Sequence, residues 1–100
     1  MTETRRAKFT LGQVVATPGA LEAIQDAGQS PADLLSRHVT GDWGELHDDD
    51  RRLNNLALTD GSRLLSAYVT SRGERIWVIT EAADDSGRRY STTILKPEEY

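Results

Sequence analysis

The sequence predicts an α+β domain, in which three short helices pack on one face of a small antiparallel sheet in the order β-ααα-βββ. Apolar residues recur at helical spacing between residues 18 and 60, and at twofold spacing from residue 63 onward. Prolines that follow hydroxyl residues, and glycines that follow apolar runs, divide the helical region into three segments. The prediction assigns residues 1–7 to a disordered N-terminal tail and residues 8–100 to a single domain.

The first half of the chain predicts one strand and two helices. Residues 9–16 alternate as a strand. Thr17-Pro18 and Ser30-Pro31 each place a capping hydroxyl before a proline at the first helical position, which predicts helices over residues 18–27 and 31–40. The expected apolar stripes are Ala20, Leu21, Ile24 and Ala27 on the first helix, and Leu34, Leu35, His38 and Val39 on the second.

A third helix and three strands complete the prediction. The helix is expected to begin near Asp48, because aspartates in a first turn interact favourably with the helix dipole, and to end at Gly61. Its predicted stripe consists of Leu53, Leu56, Ala57 and Asp60. Strands are expected over residues 63–70, 75–81 and 89–95, and the second is predicted to be central because both of its faces are apolar.

Composition favours a cytoplasmic protein with a protein partner. The chain has no cysteine, no apolar signal-peptide region and no run long enough to span a membrane. Its net charge is -4, and residues 18–60 carry nine acidic residues against three arginines. An acidic surface argues against direct binding of nucleic acid and fits a protein partner with a basic surface. The sequence leaves the oligomeric state open.

The most distinctive segment is the turn around Trp43, which lies between Gly41 and Gly44. One interpretation is a buried anchor that packs the second helix against the third, with Asn54 or Asn55 bonded to the turn. The other is a binding hot spot, since tryptophan is enriched at such positions. On the second interpretation the binding residues are Trp43, Asp42, Glu45 and His38.

His38 is the sharpest candidate for chemistry, because an imidazole near a helix end can act as an acid or base at neutral pH. The structural alternative is a half-buried histidine bonded to a carbonyl or to Asp42. The layout is similar to that of RelE-type and barnase-type ribonuclease toxins. That similarity implies a catalytic set of His38, Arg63, Tyr68 and Thr92. The spacing of His38 and His47 matches no metal motif, so neither a metal nor another cofactor is predicted.

The chain also resembles a family of small uncharacterised bacterial proteins found on plasmids and in phage-rich regions. The matching segments are ATPGAL (16–21), GQSP (28–31), RH (37–38), GDWG (41–44), RLLSAY (63–68), IWVITE (76–81) and STTIL (91–95). Members are labelled plasmid-related proteins or, in some cases, type I restriction enzyme subunit M. The resemblance implies a setting in mobile genetic elements but no established function.

The acidic helical half, the candidate binding residue Trp43 and the lack of a convincing catalytic set predict a non-catalytic accessory protein that acts by binding a protein. A specific version is an anti-defence role, in which the acidic helices occupy a basic nucleic-acid site on a host enzyme. The alternative is a small ribonuclease or toxin.

Overall fold

The regular elements follow one another in the predicted order, which confirms the α+β class. The computed structural model describes residues 6–100, so most of the predicted tail lies outside the described residues. The elements are β1 (Gln13–Ala16), α1 (Pro18–Asp26), α2 (Pro31–Val39), α3 (Asp48–Asp60), β2 (Leu64–Val69), β3 (Arg75–Thr80) and β4 (Ser91–Leu95), followed by a short 3-10 turn (Pro97–Glu99).

The sheet is mixed, which corrects the prediction of an antiparallel sheet. Its four strands lie in the order β1-β4-β3-β2, and the pairs β2–β3 and β3–β4 are antiparallel as expected. β1 runs parallel to β4, with Gln13 opposite Ser91 and Ala16 opposite Ile94. The helices carry the chain from β1 to the far edge of the sheet, and two reversals then bring β4 back beside β1 in the same direction. The position of all three helices on one face stays a prediction.

The predicted helix starts are confirmed by their caps. The Thr17 hydroxyl accepts a hydrogen bond from the Ala20 amide at 3.1 Å. Ser30 and Asp33 exchange side-chain to main-chain bonds in a capping box at the start of α2. α3 begins at Asp48 as expected and ends at Gly61, whose φ of 83° is the left-handed conformation that glycine adopts readily.

Two clusters of buried side chains hold the helices on the sheet. The main cluster joins α1 and α2 to the strands through Ala20, Ala23, Ile24, Leu34, Tyr68, Ile76, Val78 and Ile94. The second cluster joins α3 to the first part of β2 through Trp43, Ala57 and Leu64, with Phe9, Leu46 and Leu58 packed around them. Trp43, from the turn before α3, therefore lies in the core beside the helix that this turn precedes.

The buried side of α3 differs from the predicted one. Leu53 and Leu56 are 62% and 56% exposed, whereas Asn54 and Ala57 are 5% and 1% exposed. The physical reason is a pair of hydrogen bonds at the edge of the sheet. The Asn54 amide donates to the Leu65 carbonyl at 2.6 Å, and its oxygen accepts from the Leu65 amide at 3.2 Å. This pair fixes the rotation of α3 and turns the leucines outward. A smaller correction applies to α1, where Ala23 is buried and Leu21 is exposed.

Candidate functional site

Trp43 is a buried anchor between α3 and the sheet. Its side chain is 5% exposed, and the indole Nε1 donates to Asn55 Oδ1 at 3.1 Å. The ring stacks on Phe9 with 6.2 Å between centroids and lies in the cluster that contains Ala57 and Leu64. The prediction that an asparagine of α3 bonds the turn is therefore correct for Asn55. The interpretation of Trp43 as an exposed binding residue is wrong, because its apolar surface is already covered by the core.

The turn that carries Trp43 is tied to the edge of β2. The Ala67 amide donates to the Trp43 carbonyl at 3.1 Å, and the Glu45 amide donates to the Ala67 carbonyl at 2.6 Å. Gly44 lies between these bonds with a φ of 76°, and a Cβ at this position would overlap the Ala67 carbonyl. Only glycine satisfies both the dihedral angle and the close approach. Gly44, one of the two glycines beside Trp43, thus allows the turn to pair with the sheet.

Asp42 organises the outside of the same turn. Arg37 binds the Asp42 carboxylate with two nitrogens, at 2.7 and 3.3 Å, and its guanidinium lies 4.4 Å from the centre of the Tyr68 ring. The hydrogen bond with Asp42 raises the pKa of Arg37. The Tyr68 hydroxyl donates to the Asp42 carbonyl at 2.7 Å, and burial raises the pKa of Tyr68. Of the predicted binding residues, Glu45 has an exposed side chain and Asp42 is half-buried in this arrangement.

His38 lies at the centre of a buried chain of hydrogen bonds, with 0% exposure. Its Nδ1 is 2.5 Å from Ser66 Oγ, and its Nε2 is 2.9 Å from Thr80 Oγ1. Thr80 Oγ1 is 2.7 Å from Thr92 Oγ1, which donates to the Leu11 carbonyl at 2.8 Å. The rings of Phe9 and Trp43 meet the imidazole at angles of 88° and 77°.

The hydroxyls in this chain determine where the histidine carries its proton. Each hydroxyl has one hydrogen to donate. Thr92 uses its hydrogen on the Leu11 carbonyl, so Thr80 must donate to Thr92 and accept from His38. His38 is therefore protonated on Nε2, and its Nδ1 accepts from Ser66. In this arrangement every polar atom of the chain has a partner while the imidazole is neutral.

Burial keeps this imidazole neutral. Loss of hydration and, to a smaller extent, the positive charge of Arg89 together lower the pKa of His38 from 6.5 to about 4. In the unfolded chain the ring takes up a proton near its ordinary pKa, so between these two values the unfolded state binds more protons than the folded state. The folded state therefore loses stability as the pH falls through this interval.

The predicted ribonuclease set is only partly brought together. His38 and Thr92 belong to the same buried chain through Thr80, and Tyr68 is buried nearby in the main cluster. Arg63 is exposed and donates to the Tyr100 hydroxyl at 2.7 Å. The sealed position of His38 corrects its predicted role as an acid or base, because a substrate in solvent cannot reach the ring. Its hydrogen-bond partners are hydroxyls of the sheet, and neither a carbonyl nor Asp42 takes that place.

Sequence reasoning missed Arg89, which is 5% exposed. Its guanidinium donates to the carbonyls of Ser62 at 2.8 Å, Glu81 at 2.9 Å and Ala57 at 3.0 Å. Arg89 thus joins the C-terminal end of α3 to the segments before β2 and after β3. The negative end of the helix dipole favours a cation at this position. The partners are main-chain carbonyls of no particular residue type, so the sequence contains no signal for them.

One side of α3 is exposed to solvent. We call it the outer face of α3 and define it as Asp49, Leu53, Leu56 and Asp60. These positions follow one another at helical spacing, and the two leucines lie between the two aspartates. Asp48 and Asp50 are exposed in the same first turn. Arg52 lies 3.7 Å from Asp49 as an exposed pair, and Arg51 donates to the Gly44 carbonyl at 3.1 Å. The result is an apolar patch with an acidic border.

Among residues 6–100, no group of three or more histidine, aspartate or glutamate side chains is placed to hold a metal ion. No helix in the same range has the length and apolar character needed to cross a membrane.

Comparison with models of protein families, with curated proteins and with solved structures finds no match to this chain. The resemblance to plasmid-associated proteins therefore stays a prediction.

Proposed function

We propose that this protein is a non-catalytic accessory protein that binds another protein through the outer face of α3. The observation that carries the proposal is the exposure of Leu53 and Leu56, which are 62% and 56% accessible on a helix whose opposite side is fixed to the sheet. Single exposed leucines are common on protein surfaces, but two neighbouring leucines on a rigid helix form a patch that a partner can cover.

The two exposed leucines can contribute to the free energy of binding. Full burial of a leucine side chain is worth about 1.5–3 kcal/mol, so covering both would supply a useful part of the free energy of a specific complex. The helix need not reorganise on binding, because Asn54, Asn55 and Arg51 already hold it in place. Their bonds go to Leu65, Trp43 and Gly44 respectively. A preformed helix avoids the entropic cost of ordering a flexible segment.

The charges around the leucines indicate the chemistry of the partner. Asp49 and Asp60 border the patch, Asp48 and Asp50 lie in the same first turn, and Glu45 is exposed just before the helix. Acidic borders favour a partner with a basic surface, since complementary charges speed association and disfavour other partners.

The resemblance noted from the sequence supports a setting in mobile genetic elements. In a mobile genetic element, the partner would be a host defence enzyme with a basic nucleic-acid site. The protein would then act as an anti-defence factor in the cytoplasm.

A double substitution on α3 separates binding from folding. Leu53→Ser with Leu56→Ser is expected to change the free energy of unfolding by less than about 0.5 kcal/mol per site, because both side chains are already in solvent. The same variant is expected to weaken partner binding by roughly a hundredfold, the effect of losing two hot-spot side chains. The partner would be identified by a photo-crosslinking amino acid at position 56 in a host lysate, and its affinity measured with purified proteins.

The matched control is Leu21→Ser, which removes an exposed leucine from α1. It should leave the affinity unchanged. Binding by the parent protein should weaken as salt increases, because the acidic border acts through screened charges. Retention of full affinity by the double variant would overturn the proposal, and so would a partner that binds equally well at high salt through an acidic surface.

A further inference from the structure

The two edges of the sheet differ in how their main-chain groups are used. Alternate residues of an edge strand direct their amide and carbonyl groups away from the sheet. On β2 these groups are covered. Asn54 bonds both groups of Leu65, and the turn at Trp43 and Glu45 bonds both groups of Ala67. This edge is therefore closed to another strand.

Among residues 6–100, the edge formed by β1 is open. The Gln13 amide donates to the Tyr90 carbonyl at 2.9 Å, and the Thr17 amide donates to the Ile94 carbonyl at 3.0 Å. Odd-numbered residues of β1 thus face β4, so the main-chain groups of Val14 and Ala16 point away from the sheet. Within residues 6–100, no other strand pairs with these groups.

The side chains of β1 do not protect this edge. Val14 and Val15 are 40% and 45% exposed on opposite sides of the strand. The strand Gln13–Ala16 contains neither a charged residue nor a proline, which are two of the means by which edge strands avoid pairing. Its length of four residues limits the strength of association.

We infer that β1 pairs antiparallel with β1 of a second copy of the chain, so that two four-stranded sheets become continuous. A twofold axis at Val15 places Val14 of each copy opposite Ala16 of the other. The outward amides and carbonyls of these residues then satisfy one another. Val15 meets its own counterpart in the position where cross-strand side chains approach most closely.

The second copy fits this edge because the strand is self-complementary. Ala16 packs against the main buried cluster, so Val14 of the other copy would extend that cluster across the axis. The uncharged strand introduces no repulsion at the seam. Because two short strands bury much less than the ~1,600 Å² of a standard interface, association is expected to be weak and to depend on concentration.

Cysteine cross-linking of the full chain tests the register. The chain contains no cysteine, so Val15→Cys introduces a single thiol. In the inferred dimer the two thiols face each other at a separation that a disulfide can bridge, and mild oxidation is expected to convert most of the protein to a covalent dimer. The matched control is Val69→Cys, at a valine of similar exposure on β2, which should remain largely monomeric.

Sedimentation equilibrium of the unmodified chain is expected to show a monomer that becomes a dimer as concentration rises. Val14→Pro removes one outward amide from each copy and should weaken the dimer roughly tenfold or more. Val15→Lys, which places like charges across the axis, should also give a monomer and serves if the proline variant does not fold. A monomer at millimolar concentration would overturn the inference, as would a dimer in which Val15→Cys does not cross-link or in which Val69→Cys cross-links equally well.

Discussion

Replacement of Trp43 by alanine is expected to lower the free energy of unfolding by roughly 3 kcal/mol, the scale for truncating a buried aromatic side chain. The indole fills the space between Ala57, Leu64 and Phe9, and its Nε1 bonds Asn55. A domain of this size is typically stable by about 5–15 kcal/mol, so the loss is a large share of the total. Urea unfolding followed by far-ultraviolet circular dichroism measures the effect.

A conservative variant shows whether volume or the hydrogen bond dominates. Trp43→Phe retains much of the apolar volume and should recover more than half of the stability lost in Trp43→Ala. Asn55→Ala should cost about 1 kcal/mol, the value of one side-chain hydrogen bond. A Trp43→Ala protein with the unfolding midpoint of the parent would contradict the account, because it would mean that the indole is not packed in the core.

His38→Ala is expected to be similarly destabilising, by roughly 4 kcal/mol. The change removes the partners of Ser66 and Thr80, and each buried group left without a hydrogen bond costs about 1–3 kcal/mol. It also leaves a cavity between the rings of Phe9 and Trp43. Thermal unfolding monitored by calorimetry provides the measurement.

The other histidine supplies the matched control. His47 is exposed at the start of α3 and makes no side-chain cap, so His47→Ala should change stability by less than about 0.5 kcal/mol. Coupling to the network gives a second test, since His38→Ala combined with Ser66→Ala should cost less than the sum of the two separate changes. Equal melting temperatures for His38→Ala and His47→Ala would refute the buried network.

Local signals in the sequence predicted the elements well. The proline and hydroxyl pairs at Thr17 and Ser30 specify caps through contacts three residues away, and Gly61 ends α3 because glycine tolerates a positive φ. The buried residues Leu34 and His38 were predicted from their spacing on α2. Such features depend on neighbours along the chain, which is why they can be inferred without the fold.

Features that depend on distant partners were not predicted. The rotation of α3 is set by Asn54 against the main chain of Leu65, and this outweighed the apolar pattern of Leu53 and Leu56. The parallel direction of β1 follows from the path of the whole chain. The hydrogen-bond partners of His38 are serine and threonine side chains on three different strands. Only the register of the strands shows that these side chains meet at one place.

Our central claim is that the most distinctive segment of the chain, which contains His38 and Trp43, serves the fold, because both side chains are buried. The most direct test is nitrogen-15 NMR of the His38 ring in a His47→Gln protein, which retains only one of the chain's two histidines. We expect a neutral ring protonated on Nε2 at pH 7 that remains so down to about pH 5, because burial lowers the pKa of His38 to about 4. A ring that exchanges its proton between both nitrogens and titrates at its ordinary pKa would be open to solvent, and would contradict the claim.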